Sequence, residues 1–175
     1  MEQRPEIEKS EKYQWHVIYT RSRQEKKLAK LFDEKGIRYY LPMIKTLKQW
    51  SDRKKMVEEV LFKSYIFVHV SEKEYYDAIK CIGAVKYVSI DGKAAKIPDN
   101  QIEAIKNTLA NKVEFTISPE YFQKDKPVEI ISGPLKGAKG EIISLKGKKK
   151  LLIRIEQIGY SLVVHVSPES IKLLK

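Results

Sequence analysis

Val60-Leu61-Phe62-Lys63-Ser64-Tyr65-Ile66-Phe67-Val68-His69-Val70 is the strongest β-forming run in the chain. Its β-branched and aromatic side chains suit a pleated surface. Strict alternation puts Val60, Phe62, Ile66, Val68 and Val70 on one face, and Leu61, Tyr65 and Phe67, with Lys63 and His69, on the other. Upstream, Arg38 to Trp50 is rich in Tyr, Leu, Ile and Thr and reads as an extended strand, with Pro42 at an edge or bulge. Ser51-Asp52-Arg53-Lys54-Lys55 is a polar tip, so the two stretches form a hairpin.

Earlier still, Trp15 to Thr20 reads as a buried strand, and Ser22 to Glu25 has the spacing of a capping box. A helix follows, with Leu28, Leu31 and Phe32 on one face and Gly36 at its stop. Downstream, Glu72 to Ile82 is helical in pattern and Gly83 ends it. Val85 to Ile90 is a short strand, Asp91-Gly92 a hairpin turn, and Asp99 the N-cap of a helix carrying Ile102, Ile105 and Leu109. The order β-α-β-β-α-β plus a helix predicts an α+β, split βαβ (ferredoxin- or RNP-like) domain. Its first and third strands are neighbours in the middle of the sheet.

Residues 1–12 are polar and aperiodic, and we expect a mobile tail there. The first domain takes 13–112, and 113–122, with Ser118-Pro119, is read as a linker. Residues 123–175 hold short β-like runs, Val128–Ile131, Glu141–Leu145, Leu151–Ile155 and Leu162–Val166, separated by glycines; they predict a small β-barrel.

The chain of 175 residues is 42% hydrophobic and 33% charged, enough for a core and too apolar for disorder. No run approaches the ~18 apolar residues of a membrane span, and the start is charged where a signal peptide is apolar; a cytoplasmic protein is expected. One cysteine, Cys81, excludes a disulfide framework or structural zinc site. The net charge of +11 favours polyanions or acidic protein surfaces. From 121 onward eleven basic residues face five acids, so both halves are basic.

No spacing supplies a nucleophile with a base and an orienting acid, and Ser132-Gly133-Pro134-Leu135-Lys136-Gly137 lacks a P-loop ending. His16, His69 and His165 lie in strand patterns. We therefore expect no catalytic residue, metal or cofactor. The stronger signal is aromatic. Trp15, Val17 and Tyr19 share one side of the first strand and Tyr65 and Phe67 one side of the third, so these rings either form an apolar patch open to a partner or are the second layer of the core. The partner is either RNA, since Lys63 to Val68 approximates an RNA-recognition core, or the apolar side of a helical hairpin.

Taken in order, four stretches resemble the NusG family of transcription elongation factors over residues 14–175. They are Trp15-His16-Val17-Ile18-Tyr19; Leu61 to Val68; Gly83-Ala84-Val85 followed by Ile97-Pro98; and Val128 to Ile142, which is similar to a KOW motif of an SH3-like barrel. The resemblance implies that the N-terminal domain grips the clamp helices of RNA polymerase through Tyr19, Phe62, Tyr65 and Phe67, and touches the opposite cleft wall near Tyr75 and Tyr76. It places Arg21 and Arg23 near the non-template DNA strand. The lysine-rich tip adds Arg53, Lys54 and Lys55 as contacts to DNA or nascent RNA. A ribosomal small-subunit protein is a further partner implied for the KOW domain, and a monomer is expected. The family's Phe-Pro-Gly-Tyr is Phe62-Lys63-Ser64-Tyr65 here, and its Phe-Gly-Arg loop is Ile158-Gly159-Tyr160. Those departures resemble specialised UpxY-type antiterminators acting on polysaccharide operons. An RNA-binding module and a ribosome-associated KOW protein are the alternatives. Lys146 and Lys148 to Lys150 read as RNA-binding or as a solvated hairpin.

Overall fold

The computed structural model describes residues 12–111, 113–118, 126–145 and 148–174. The expected tail, apart from Lys12, the linker residues 119–122, and Lys146 lie outside them. The N-terminal unit runs β1 (Gln14–Thr20), α1 (Glu25–Lys35), β2 (Arg38–Tyr40), β3 (Met43–Gln49), β4 (Lys54–Val60), β5 (Tyr65–Val70), α2 (Glu72–Ile79), β6 (Ala84–Tyr87), β7 (Ser89–Ile90), β8 (Lys93–Ala94), β9 (Lys96–Ile97) and α3 (Asp99–Ala110). The rest is β10 (Phe115–Ser118), β11 (Pro127–Ile130), β12 (Lys139–Leu145), β13 (Lys148–Ile155), β14 (Tyr160–His165) and β15 (Ile171–Leu173). The architecture is the α+β class expected, an α+β N-terminal unit followed by a β unit.

The first sheet has the order β2-β5-β1-β6, with β9 also beside β1. As expected, β1 and β5 are adjacent, antiparallel and central, in the register Val17↔Phe67 and Tyr19↔Tyr65. One face buries Ile18, Ile66, Val68 and Val70 against Leu28, Ala29 and Phe32 of α1 and Ala78 of α2. The other face buries Trp15, Val17 and Phe67 with Phe62 and Ile97. Burying each such side chain contributes about 1.5–3 kcal/mol, so two-sided packing explains why these strands are apolar throughout.

Several local expectations are corrected. The extended run over 38–50 is broken at Leu41-Pro42, where a proline cannot donate to a ladder; the Pro42 carbonyl instead accepts the Leu61 N–H at 2.8 Å. The strand expected from Val60 starts only at Tyr65, because Leu61 to Ser64 form a turn with Ser64 left-handed at φ 65°. This resets the alternation. Phe62 therefore lies on the same side as Phe67, with ring centroids 6.1 Å apart at 79°, and not on the opposite face. Ser22 and Glu25 make no capping box: Gln24 is the N-cap, and no side chain caps the helix. A complete box forms instead at Ser71 and Glu74, before α2. Asp99 is the first residue of α3 rather than its cap, which is Pro98. Asp91-Gly92 does turn β7 into β8, both residues having positive φ.

β3 and β4 pair only with each other, from Met43↔Val60 to Gln49↔Lys54, and make a two-stranded arm. The C-terminal sheet has the order β10-β14-β13-β12-β11-β15. Phe115–Ser118, within the stretch expected to connect the units, is itself the strand beside β14. Gly140 is required by close approach, since a Cβ there would meet the Leu152 carbonyl oxygen at 2.5 Å.

Candidate functional site: a ring face shared by two units

The turn before β5 builds the site. The buried Glu25 carboxylate accepts the Ser64 N–H at 2.7 Å, and the Thr20 N–H donates to the Ser64 carbonyl at 2.9 Å. These bonds hold the turn against the start of α1 and the end of β1. Tyr65 then faces Tyr19 across the ladder, ring centroids 5.6 Å apart at 66°. Phe67 lies one alternate position further, against Phe62 and 6.3 Å from Tyr40. Four residues expected on the site, Tyr19, Phe62, Tyr65 and Phe67, are thus brought together on one side of the sheet.

Of the two readings of these rings, open patch and second core layer, the structure shows them largely covered. Phe62 and Phe67 are fully buried, Tyr65 is partly buried, and Tyr19 alone is exposed, at 39%. Two parts of the chain cover them. Helix α3 crosses the same face, with Ile102 and Ile105 in its core and the Lys106 ammonium 5.6 Å from the ring centres of both Trp15 and Tyr40. The C-terminal unit brings Tyr160, 5.6 Å from Phe62 and 6.4 Å from Tyr65. Burial, reinforced by the nearby Tyr160 and Tyr19, raises the Tyr65 phenol pKa.

Polar bonds join the units around the rings. The Gln101 side-chain amide donates to the Arg154 carbonyl, Gln157 donates to the Lys96 carbonyl at 3.2 Å, and Asn111 to the Pro134 carbonyl at 3.2 Å. Arg154 is held by a two-bond pair with Glu141, at 3.0 and 3.2 Å. The Oε1 atoms of Gln101 and Gln157 are both buried without a hydrogen-bond partner. Each ring pair contributes about 0.5–1.5 kcal/mol and each orphaned oxygen costs about 1–3 kcal/mol, so the seam mixes attraction and penalty of similar size.

The remaining expected residues lie elsewhere. Tyr75 and Tyr76 lie in the middle of α2, on the opposite face; Tyr75 stacks on Tyr87 at 4.0 Å, and Tyr76 is 64% exposed. Arg21 and Arg23 are exposed in the turn that follows Tyr19, with Arg23 left-handed at φ 62°. Arg53, Lys54 and Lys55 are exposed at the tip of the β3–β4 arm. Tyr160, Gln101, Gln157 and Glu25 were not among the expected site residues. Only Tyr160 carried a signal, as the aromatic that replaces arginine in the Phe-Gly-Arg loop. His16, in contrast, is a satisfied buried histidine, its Nδ1 3.0 Å from the Ala95 carbonyl. Among the described residues no helix is long and apolar enough to cross a membrane.

A split βαβ sheet whose ring face packs against a small β unit defines a two-unit α+β chain. The chain belongs to the NusG family: the family model described as transcription termination factor nusG matches residues 13–106, more than half its length. It is thereby a transcription factor with a general role in elongation. Similar solved structures include one described as "Domain interaction in Thermotoga maritima NusG", at 23% identity and TM-score 0.47, covering 94% of this chain and 98% of that one. Another, "Crystal Structure of MjSpt4:Spt5 complex conformation B", has 20% identity and TM-score 0.30, covering 92% and 97%. A search of curated proteins finds no match.

Proposed function

We propose that the chain is a non-catalytic antitermination or elongation factor whose ring face seats the clamp helices of RNA polymerase and suppresses pausing or termination at particular operons. The carrying observation is the convergence of Tyr19, Phe62, Tyr65 and Phe67 on one side of β1 and β5, opposite α1 and α2. A two-helix partner needs such an apolar recess with aromatic walls. In this reading the C-terminal unit is the lid: it leaves the face before polymerase is seated, and its departure frees its own Ile158-Gly159-Tyr160 loop for a second partner such as a ribosomal small-subunit protein. Ile158 is buried in the shared core and Tyr160 packs on it, so neither surface is available while the other is covered. Arg21 and Arg23, beside the ring face in sequence, approach the phosphates of the non-template strand. Tyr76 and Tyr75 serve the other wall of the cleft.

The test is capture of purified RNA polymerase by the full chain and by Tyr65→Ala, together with run-off transcription through a pause and a terminator. Capture falling at least tenfold, with read-through lost in parallel, supports the proposal. Unchanged capture, with single-stranded RNA affinity lost instead, replaces it with the RNA-binding reading.

A further inference from the structure

The arm formed by β3 and β4 has two chemically different faces. The register pairs Ile44↔Glu59, Thr46↔Val57 and Lys48↔Lys55 on one face, and the Trp50 N–H closes the tip on the Arg53 carbonyl at 2.8 Å. The Glu59 carboxylate confirms that face, accepting from Thr46 at 2.9 Å and from Lys48 at 2.5 Å. At its outer end the indole of Trp50 is 47% exposed, with the Arg53 guanidinium 5.9 Å from its ring centre and the exposed Lys55 one pair further in. The other face carries Leu47 paired with Met56, 59% and 55% exposed.

An exposed tryptophan at the end of a projecting hairpin does nothing for the core. Its cost is an apolar surface in water, and its neighbours are cations. Of these, Lys48 is offset by Glu59 and Arg53 has only a loose partner in Asp52, at 3.8 Å. Cations that attract phosphates around a flat ring that stacks on a base are what unpaired nucleic acid requires.

We propose that this tip is a binding site for single-stranded nucleic acid, with Trp50 stacking on a base and Arg53 and Lys55, on the same face, holding the flanking phosphates. This deepens the nucleic-acid side of the proposed function and is independent of the ring face. Bases, not phosphates alone, are recognised, so the arm prefers an unpaired strand over duplex.

The experiment titrates the full chain with a twelve-nucleotide oligo-dT or oligo-U and with a duplex of equal length, following tryptophan fluorescence and anisotropy at several salt concentrations. Quenching is expected from Trp50, because Trp15, the second tryptophan, is 5% exposed. Trp50→Ala should weaken single-strand binding about five- to hundredfold while leaving the salt slope unchanged. Trp50→Phe should retain most of the affinity. Arg53→Gln with Lys55→Gln should reduce the single-strand salt slope by about 1.4. Tyr65→Ala should bind oligonucleotide as the parent does, even where it no longer captures polymerase. The proposal is overturned if Trp50→Ala binds normally, if duplex and single strand bind alike, if Tyr65→Ala loses oligonucleotide binding, or if polyglutamate competes as well as an oligonucleotide of equal charge.

Discussion

Ser64 stands where the chain must turn left-handed so that Tyr65 and Phe62 share a side, and it does so without the freedom of a glycine. Replacing it should relieve strain of about 1 kcal/mol, partly offset by the greater entropy of the unfolded chain. Ser64→Gly is therefore expected to stabilise the protein by up to about 1 kcal/mol, read as a higher urea midpoint with an unchanged slope. Two histidines make a second prediction. Burial, with Lys96 adding repulsion and the Ala95 carbonyl opposing it, lowers the His16 pKa from its ordinary 6.5. Burial and the Arg38 charge lower that of His69, despite Asp99 and Glu74. Folding thus favours the neutral rings, and below about pH 6.5 the unfolded chain binds more protons. Stability should decline as pH falls from 7 towards 5, and NMR should show both imidazoles less protonated than free histidine at the same pH.

Among the elements, β12 offers the sharpest test of packing. A methyl at Gly140 collides with the backbone of β13, which cannot move aside like a flexible side chain. Gly140→Ala should cost about 1–3 kcal/mol and lower the melting temperature. Much of this scale was legible in the sequence. Alternation paired Tyr19 with Tyr65 and Phe67, and Asp91-Gly92 marked its hairpin. Two sites with the same Ser-x-x-Glu spacing show where legibility ends. Ser71 and Glu74 close a capping box, whereas Glu25 is drawn away to Ser64, thirty-nine positions along the chain. Spacing describes what a segment can do alone, and a distant, partly buried amide can override it. Phe62 was assigned to the wrong face for a related reason: one left-handed residue resets a period of two.

At the scale of the molecule the ring face and the C-terminal unit cover one another, and nothing periodic announced this. The contact joins Phe62 and Tyr65 to Tyr160, nearly a hundred positions away, through rings that also read as ordinary strand residues. Tyr160→Ala removes both ring pairs, about 1–3 kcal/mol in all. Amide exchange in β5 should quicken, and if the C-terminal unit is the lid, polymerase capture should rise at least severalfold. A Tyr65→Ala, Tyr160→Ala double variant should open equally and capture nothing, which separates release from recognition.

The glutamine pair at the seam bears on how that release proceeds. Gln101 and Gln157 reach in opposite directions, each giving its N–H to the other unit and leaving a buried carbonyl oxygen without a hydrogen-bond partner. Parting of the two units that lets water reach these oxygens satisfies both, which offsets part of the cost of separating the rings. A seam of leucines in their place would have to be torn open. This one regains part of that cost through hydration of two amides.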